Sequence, residues 1–207
     1  MTTRTLAVVS AGLGVPSSTR LLADRLATAT VAALRERGED AVVEVVELRE
    51  HARDLADAFV TGFPNAALRA AVGTVTGADG VLAVTPVFTA SYSGLFKSFV
   101  DVLDEGALTG KPVLLAATAG TARHSLVLEH AMRPLFSHLR AITVPTAVFA
   151  APEDWAGGDG TSRELAGRIA RAAGELADVV TGRPASARPA DPFADVPSFE
   201  DLLRGNP

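Results

Sequence analysis

The sequence predicts an α/β fold: a doubly wound parallel sheet of five strands with helices on both faces. Three observations carry this. Short runs that are apolar on both faces recur along the chain, as at Val81-Leu82-Ala83-Val84 and at residues 112–118, PVLLAAT. Strands covered on both sides in a parallel sheet read this way. Between these runs, apolar residues fall at helical spacing, so strands and helices alternate. The loops after the first, third and fourth runs are rich in small and hydroxyl residues, and ligands of open α/β sheets bind beyond the carboxyl ends of strands.

The elements follow in order. Residues 4–10, RTLAVVS, form the first strand, and residues 11–19 a tight loop. Helical periodicity then runs through Leu21, Leu22, Leu26, Ala29, Val31, Ala33 and Leu34. It closes at Arg37-Gly38, with Gly38 as the glycine past the helix end. Residues 41–48 form a second strand, whose Glu44 and Glu47 mark a more exposed side. Residues 49–64 read as irregular, and a short helix fits 65–77. The third strand begins at Val81 and is expected to stop at Thr85-Pro86, because the residue before proline is held extended. A loop, residues 87–94, leads into a helix with Leu95, Phe99, Val100 and Leu103 on one face and Ser91 or Ser93 as its N-cap. Residues 112–118 are the fourth strand, and a helix from about 124 to 139 follows the loop Ala119-Gly120-Thr121-Ala122-Arg123. Residues 142–150 are the fifth strand, where Pro145 signals an edge or a bulge. Residues 161–181 are the last helix. The expected strand order is 2-1-3-4-5, with its switch point between strands one and three. The loops after strands one, three and four then converge on one edge.

The 207 residues suffice for one domain with a sizeable core, assigned to residues 1–181. From Gly182 the composition shifts to a Pro-rich tail, residues 182–207. Its Phe193, Val196, Phe199, Leu202 and Leu203 are apolar anchors, expected to dock on the domain or on a neighbouring subunit; a free tail is the alternative. No apolar run reaches the length of a membrane span, and the N-terminal stretch resembles a signal peptide only superficially, so the expected location is cytoplasmic. The absence of cysteine excludes disulfides, thiol chemistry and cysteine zinc sites. A net charge of −5 argues against a nucleic-acid surface. Any anion site must be local and built from backbone amides.

The first loop places Ser10, Ser17, Ser18 and Thr19 around a helix N-terminus. Free amides and the helix dipole favour an anion there, and hydroxyls add donors. Capping alone would need one hydroxyl; this excess favours a phosphate. The pattern is not GxxxxGK[ST]. Gly12-x-Gly14 lacks the third glycine of the dinucleotide fingerprint. The loop after the third strand offers an aromatic ring, two serines and many free amides, suited to a planar hydrogen-bonding ligand; an ordinary strand–helix connection is the plainer reading. His124, His130 and His138 lie six and eight residues apart, not at metal-ligand spacing, and His51 stands alone. No metal and no side-chain acid, base or nucleophile is expected. Hydride transfer through a bound flavin needs positioning rather than such groups.

At residues 85–101, TPVFTASYSGLFKSFVD resembles the TPxYxxSxSGxLKxxxD signature of NAD(P)H-dependent FMN reductases. The likeness is greatest to those reductases that feed two-component sulfonate monooxygenases. SAGLGVPSSTRLLADRL at 10–26 and ATAGTARHSLVLEHAMRPLFSHL at 117–139 agree with the family's phosphate loop and its fourth loop and helix. The resemblance implies a flavodoxin-like fold and the cofactors FMN and NADPH or NADH. By it, Ser10, Ser17, Ser18 and Thr19 bind the FMN phosphate with help from Arg20. Pro86, Val87 and Phe88 line the isoalloxazine, Ser91 lies at its polar edge, and Thr118, Ala119 and Gly120 approach from the other loop. Phe88 stands where the family often has Tyr. The resemblance also implies a π-type irregularity in the fourth helix at His130.

The resulting expectation is NAD(P)H-dependent reduction of FMN, with reduced flavin supplied to a partner monooxygenase. The alternatives are a reductase of quinones, azo compounds or metal ions that retains its FMN, and a flavodoxin-type electron carrier. A carrier should show a TxTGxT-like loop and a markedly acidic surface. Wide apolar arcs on the third and fourth helices, including Phe96 and Leu128, predict a homodimer or homotetramer joined through them.

Overall fold

The structure, a computed structural model, describes residues 2–155 and 161–182. The tail, with the docking expected of residues 190–204, lies outside the described residues.

β1 (Thr3–Ser10) pairs in parallel with β2 (Asp40–Glu47) on one side and with β3 (Gly80–Phe88) on the other. β3 pairs with β5 (Pro112–Thr118), and β5 with β6 (Ile142–Thr143) and β7 (Val148–Ala150). The path β2-β1-β3-β5-β6 is the expected order once a two-residue hairpin strand, β4 (Ser91–Tyr92), is set aside. The switch point lies between β1 and β3, where Ser10 pairs with Val84.

Strand alternation divides the core in two. Val81 and Ala83 of β3, with Val113, Leu115 and Ala117 of β5, face one cluster. There they meet α2 (Ala52–Thr61), α3 (Ala66–Gly77) and α4 (Gly94–Asp101) through Leu55, Leu68 and Phe99. Leu82 and Val84, with Leu114 and Ala116, face the other, where α1 (Ser18–Glu36) and α7 (Thr161–Thr181) contribute Leu22, Leu26, Ile169 and Leu176. Period two in a strand makes every such run apolar throughout.

Several boundaries differ from the sequence reading. Residues 49–64 are not irregular: a 3₁₀ turn (Leu48–His51) leads into α2, which buries Leu55 and Ala58. Two apolar positions one turn apart are a thin signal for a helix that lies over the sheet edge. β3 does not stop at Thr85-Pro86. It continues to Phe88 because Pro86 lies beyond the last β1 pairing, so no ladder to β1 remains for the missing amide to break. The stretch after it is a hairpin, with Val87 opposite Tyr92 and Phe88 opposite Ser91. In α4 the residue in the core is Phe96, with Phe99 and Val100, rather than Leu95. The expected fifth strand is two short ones, and the break between β6 and β7 falls around Pro145. The helix expected from 124 to 139 is a 3₁₀ turn (Ala122–His124), a π-turn (Leu128–Met132) and α5 (Arg133–His138). A short α6 (Pro152–Trp155) follows β7.

Ends are closed by identifiable groups. Asn65 caps α3, its side chain accepting from Leu68 N. At the other end of α3, the Lys111 ammonium donates to the carbonyls of Thr76, at 2.9 Å, and Ala78. Gly38 takes a φ of 80° just past α1, as its sequence position implies. At the amino edge of the sheet, the nearly buried Arg4 grips Glu39 with two nitrogens, Nη2 at 3.0 Å, and lies 3.6 Å from Asp79. Asp79 in turn accepts from Thr5 N at 2.8 Å. This ties the start of β1 to the turns entering β2 and β3.

The Arg4 hydrogen bond holds the Glu39 carboxyl below its ordinary value. A group whose pKa falls on folding contributes stability above its unfolded pKa, and that contribution is lost as pH falls through the folded value. Glu39→Gln should therefore melt below the wild type at neutral pH. The gap should close as pH drops beneath the unfolded glutamate range of about 4.3. Thermal melts of both proteins from neutral to acid pH check this; a constant gap would refute it.

Candidate functional site

Three loops leave the carboxyl edge of the sheet side by side. The first departs from between β1 and β3, where Ala11 N donates to Val84 O at 3.0 Å. Ser17 is the N-cap of α1 and its hydroxyl accepts from Arg20 N at 3.2 Å. Gly12 passes directly over this cap. A Cβ on Gly12 would stand 2.1 Å from Ser17 Oγ and 3.1 Å from Thr19 Cβ, so a side chain there would have to displace the Ser17 cap. The Val15–Pro16 bond is cis. Ser18 and Thr19 head the helix, where amides have no acceptor within the helix. Ser18 is exposed.

Ser10 shares parity with Leu6 and Val8, which face α1. Its hydroxyl is fully buried and has no hydrogen-bond partner. A buried polar group left open costs about 1–3 kcal/mol. Beside a helix N-terminus, such a donor is suited to an anion.

Thr19 and Arg20 are placed differently from a simple phosphate cradle. The Thr19 hydroxyl is buried and bonded to the Thr118 hydroxyl at 2.8 Å. This bond runs from the first turn of α1 to the end of β5 and so sets the spacing of the first and third loops. The Arg20 guanidinium donates to Asp24 Oδ1 at 2.7 Å and to Glu47. These hydrogen bonds, Asp24 first, raise its pKa further. Glu47 also accepts from Arg49 at 3.2 Å. Arg20 and Arg49 thus share one carboxylate at the end of β2, in register with Ser10.

The second loop is the β3–β4 hairpin. Its turn residues Thr89 and Ala90 have φ of 48° and 66°. Positive φ at two successive positions matches the twist of a two-residue hairpin but is usually left to Asn and Gly. Phe88, at the tip, is 47% exposed, while Pro86 behind it is buried. Thr85 secures the base. Its buried hydroxyl donates to Pro86 O at 2.9 Å and accepts from Ser93 N at 3.0 Å. Ser93, not Ser91, caps α4 by accepting from Phe96 N at 3.2 Å. Ser91 is half-buried and stands opposite Phe88 in the hairpin. Tyr92, Phe96 and Phe136 form a tilted aromatic run, with centroids 6.1 and 6.2 Å apart, under the hairpin.

The third loop follows β5. Ala119 N donates to Ala150 O at 3.1 Å, which fixes the loop to the end of β7. Thr118 is buried, Ala119 half-buried and Gly120 exposed. The π-turn at Leu128–Met132 contains His130, the position at which the resemblance implied it.

Thus Ser10, Ser17, Ser18, Thr19, Pro86, Val87, Phe88, Ser91, Thr118, Ala119 and Gly120 all lie on the three neighbouring loops or at their roots. Arg20 lies one residue deeper in α1, held by carboxylates. Gly12 and Thr85 escaped the sequence reading as site residues. A threonine hydroxyl inside an apolar strand was the available signal for Thr85. Gly12 was read only as part of an incomplete dinucleotide fingerprint, because its constraint comes from Ser17 across the loop. Among the described residues, no group of three or more histidine and carboxylate side chains could hold a metal ion, and no helix is long and apolar enough to cross a membrane.

An anion-suited helix start beside an aromatic-tipped hairpin, at the switch point of a doubly wound sheet, defines a mononucleotide-binding α/β protein. Residues 4–156 match the family described as NADPH-dependent FMN reductase, and the chain belongs to that family. It is 39% identical over 177 residues to an FMN reductase (NADPH) of Pseudomonas aeruginosa, covering 84% of this chain and 91% of that protein. It is 40% identical over 167 residues to an NADH-dependent FMN reductase of Pseudomonas putida, covering 80% and 86%. Among solved structures, an oxidoreductase from Corynebacterium diphtheriae superposes with a TM-score of 0.86 at 50% identity, covering 89% of this chain and all of that one.

The Thr19–Thr118 bond makes a definite prediction. Thr19→Val leaves the Thr118 hydroxyl buried without its partner and should cost about 1–3 kcal/mol in urea unfolding. The double variant Thr19→Val with Thr118→Val should recover most of that loss. Strictly additive costs would show that the two hydroxyls do not interact.

Proposed function

We propose that this chain oxidises NADPH or NADH and reduces FMN, and that the reduced flavin leaves to serve a partner monooxygenase. The observations that carry this are an unpartnered buried hydroxyl at Ser10, at the end of β1, and an exposed ring at Phe88, at the end of the neighbouring β3. The residues fit a flavin mononucleotide. Ser17, Ser18, the amides at the head of α1 and Ser10 would hold its phosphate. The Gly12 backbone leaves the room a side chain would fill. Pro86, Val87, Phe88 and Ser91 would flank one edge of the ring, and Thr118, Ala119 and Gly120 the other. When bound, FMN supplies the acceptor for the nicotinamide hydride. The chain's part is to orient two planar rings and to keep water from them, which asks for no acid or base among its side chains.

Arg20 would reach the phosphate only with the donors that Asp24 and Glu47 do not take, since Nε and Nη1 are bonded to those carboxylates. At rest, those carboxylates offset its charge.

The oligomer expected through the third and fourth helices cannot use Phe96 or Leu128, although Leu126 of the same arc stays exposed. Phe96 and Leu128 are buried within the subunit, at 1% and 4% exposure, together with Val127, Met132 and Phe136. The arcs looked too wide because the aromatic run and the π-turn let one subunit bury more of them than a regular helix would. Phe88 and Leu126, 47% and 61% exposed, remain on the loops after β3 and β5. A homodimer or homotetramer joined across this edge would close the open side of the ring site, and a soluble cytoplasmic location suits such an enzyme.

Two measurements test this reading. NAD(P)H oxidation by the purified protein should depend saturably on added FMN; no oxidation with FMN present would overturn the function. Ser18→Ala should weaken FMN binding by about tenfold or more, the loss of a charge-assisted hydrogen bond, and leave riboflavin almost unchanged. Equal weakening of both flavins would remove the phosphate assignment. Separately, Leu126→Asp should shift the light-scattering mass to that of a monomer while the fold is kept.

A further inference from the structure

We propose that Arg133 is a positioning residue: it sets the rotational phase of the π-turn at Leu128–Met132, which packs against the hairpin that presents Phe88, and thereby the direction in which the exposed Glu129 and His130 face. The inference rests on the FMN reductase reading.

A π-turn carries one residue more than an α-turn and is held only where its surroundings demand it. Upstream, the demand comes from Val127 and Leu128, both buried in the core. Downstream it comes from Met132 and Phe136, also buried, and from Arg133. Arg133 N donates to Leu128 O and closes the wide turn. Its guanidinium uses all five donors. Nε and Nη2 hold the Glu129 carboxylate at 2.6 and 3.0 Å. Nη1 donates to Thr143 Oγ1 at 3.0 Å and to Val144 O at 3.1 Å, and Nη2 also to Pro145 O at 3.0 Å. A planar fork with every donor engaged fixes an orientation as well as a position. The hydrogen bond from Arg133 also holds the Glu129 carboxyl below its ordinary value, so the pair stays charged.

Its partners lead to the site from two sides. The π-turn packs against β4, the return strand of the hairpin. Residues 144–147 lead into β7, whose Ala150 carbonyl holds the Ala119 amide of the third loop. Arg133 therefore joins the hairpin support to the support of the loop opposite. Within the π-turn, Glu129 and His130 are exposed, so their direction is set by the turn's phase and not by burial.

Glu175 provides the control. From α7 it holds the same connecting segment, accepting from Thr146 N and Thr146 Oγ1, each at 2.7 Å. Its hydrogen bonds go to Thr146 and none to the π-turn, and it reaches Arg133 only through its charge. If Arg133 mattered only by bracing that segment, loss of Glu175 would have the same kinetic effect.

The experiment compares Arg133→Met, Arg133→Lys and Glu175→Gln in the full chain. For Arg133→Met, KM for FMN should rise about tenfold with kcat within about twofold, as expected when binding rather than chemistry is lost. The imidazole NMR signals of His130 should move in the same variant. Glu175→Gln should lower the melting temperature yet leave KM and the His130 signals in place. Arg133→Lys, which keeps the charge but not the fork, should fall between. The proposal is overturned if Arg133→Met melts lower but keeps wild-type KM and His130 signals, or if Glu175→Gln reproduces its KM change. Should Arg133→Met not fold, Arg133→Lys decides: unchanged KM and His130 signals overturn the proposal, and a shift in both supports it. A wild type that shows no FMN-dependent oxidation refutes the functional reading alone, because the His130 signals still report the phase of the turn.

Discussion

The parallel pairing of β1 with β3 is the constraint on which the rest of the structure depends. β2 lies on one side of β1 and β3 on the other, so the chain reverses its direction of travel across the sheet at Ser10 and Val84. The loops leaving β1 and β3 must then part to opposite faces, one into α1 and one towards α4. The space between them cannot be filled by a crossover helix. Ligand sites in doubly wound sheets arise there for this reason. Here the gap is bounded by the head of α1 on one side and by the Phe88 hairpin on the other.

Within that frame, the hydroxyl groups divide into two kinds. Thr19, Thr118, Thr85 and Ser93 are buried and bonded to one another or to backbone, and they hold the loops in place. Ser18 is exposed, and Ser10 is buried but open. The first kind sets distances; the second is left to meet a ligand. The distinction is chemical as well as spatial. Thr85 donates to Pro86 O, and one of Thr19 and Thr118 donates to the other; each such donor has given up the one proton that an anion would accept. Arg20 follows the same logic, since its charge is answered by Asp24 and Glu47 before any ligand arrives.

The fourth helix shows how tertiary demands override a regular element. Its core residues Val127, Leu128, Met132 and Phe136 must reach the sheet, Phe136 must meet Phe96, and Arg133 must meet the connector before β7. A continuous α-helix would place these side chains at a fixed angular step. The extra residue in the π-turn resolves the mismatch and leaves His130 facing outward. The broken sheet edge at residues 144–147 is the counterpart, because carbonyls freed from the ladder become acceptors for Arg133.

Much of this was legible in the sequence. Apolar runs such as Val81-Leu82-Ala83-Val84 announce a strand covered on both faces, Gly38 announces a helix end, and Ser17-Ser18-Thr19 before a helical period announces an anion-suited N-terminus. These are local properties, carried by spacing and residue type, so one chain suffices to read them. What the tertiary structure alone decided concerns which neighbour each group meets. The turn at Thr89-Ala90 carries none of the usual Asn or Gly, and its hairpin is imposed by β3 continuing past Pro86 and by Thr85 gripping Ser93. Phe96 and Leu128 are apolar residues on amphipathic helices, and sequence cannot say whether an apolar face meets its own sheet or another subunit. Thr19 was equally suited to a phosphate or to an interior bond. Its partner Thr118 lies 99 residues away along the chain, and only folding brings the two hydroxyls within 2.8 Å.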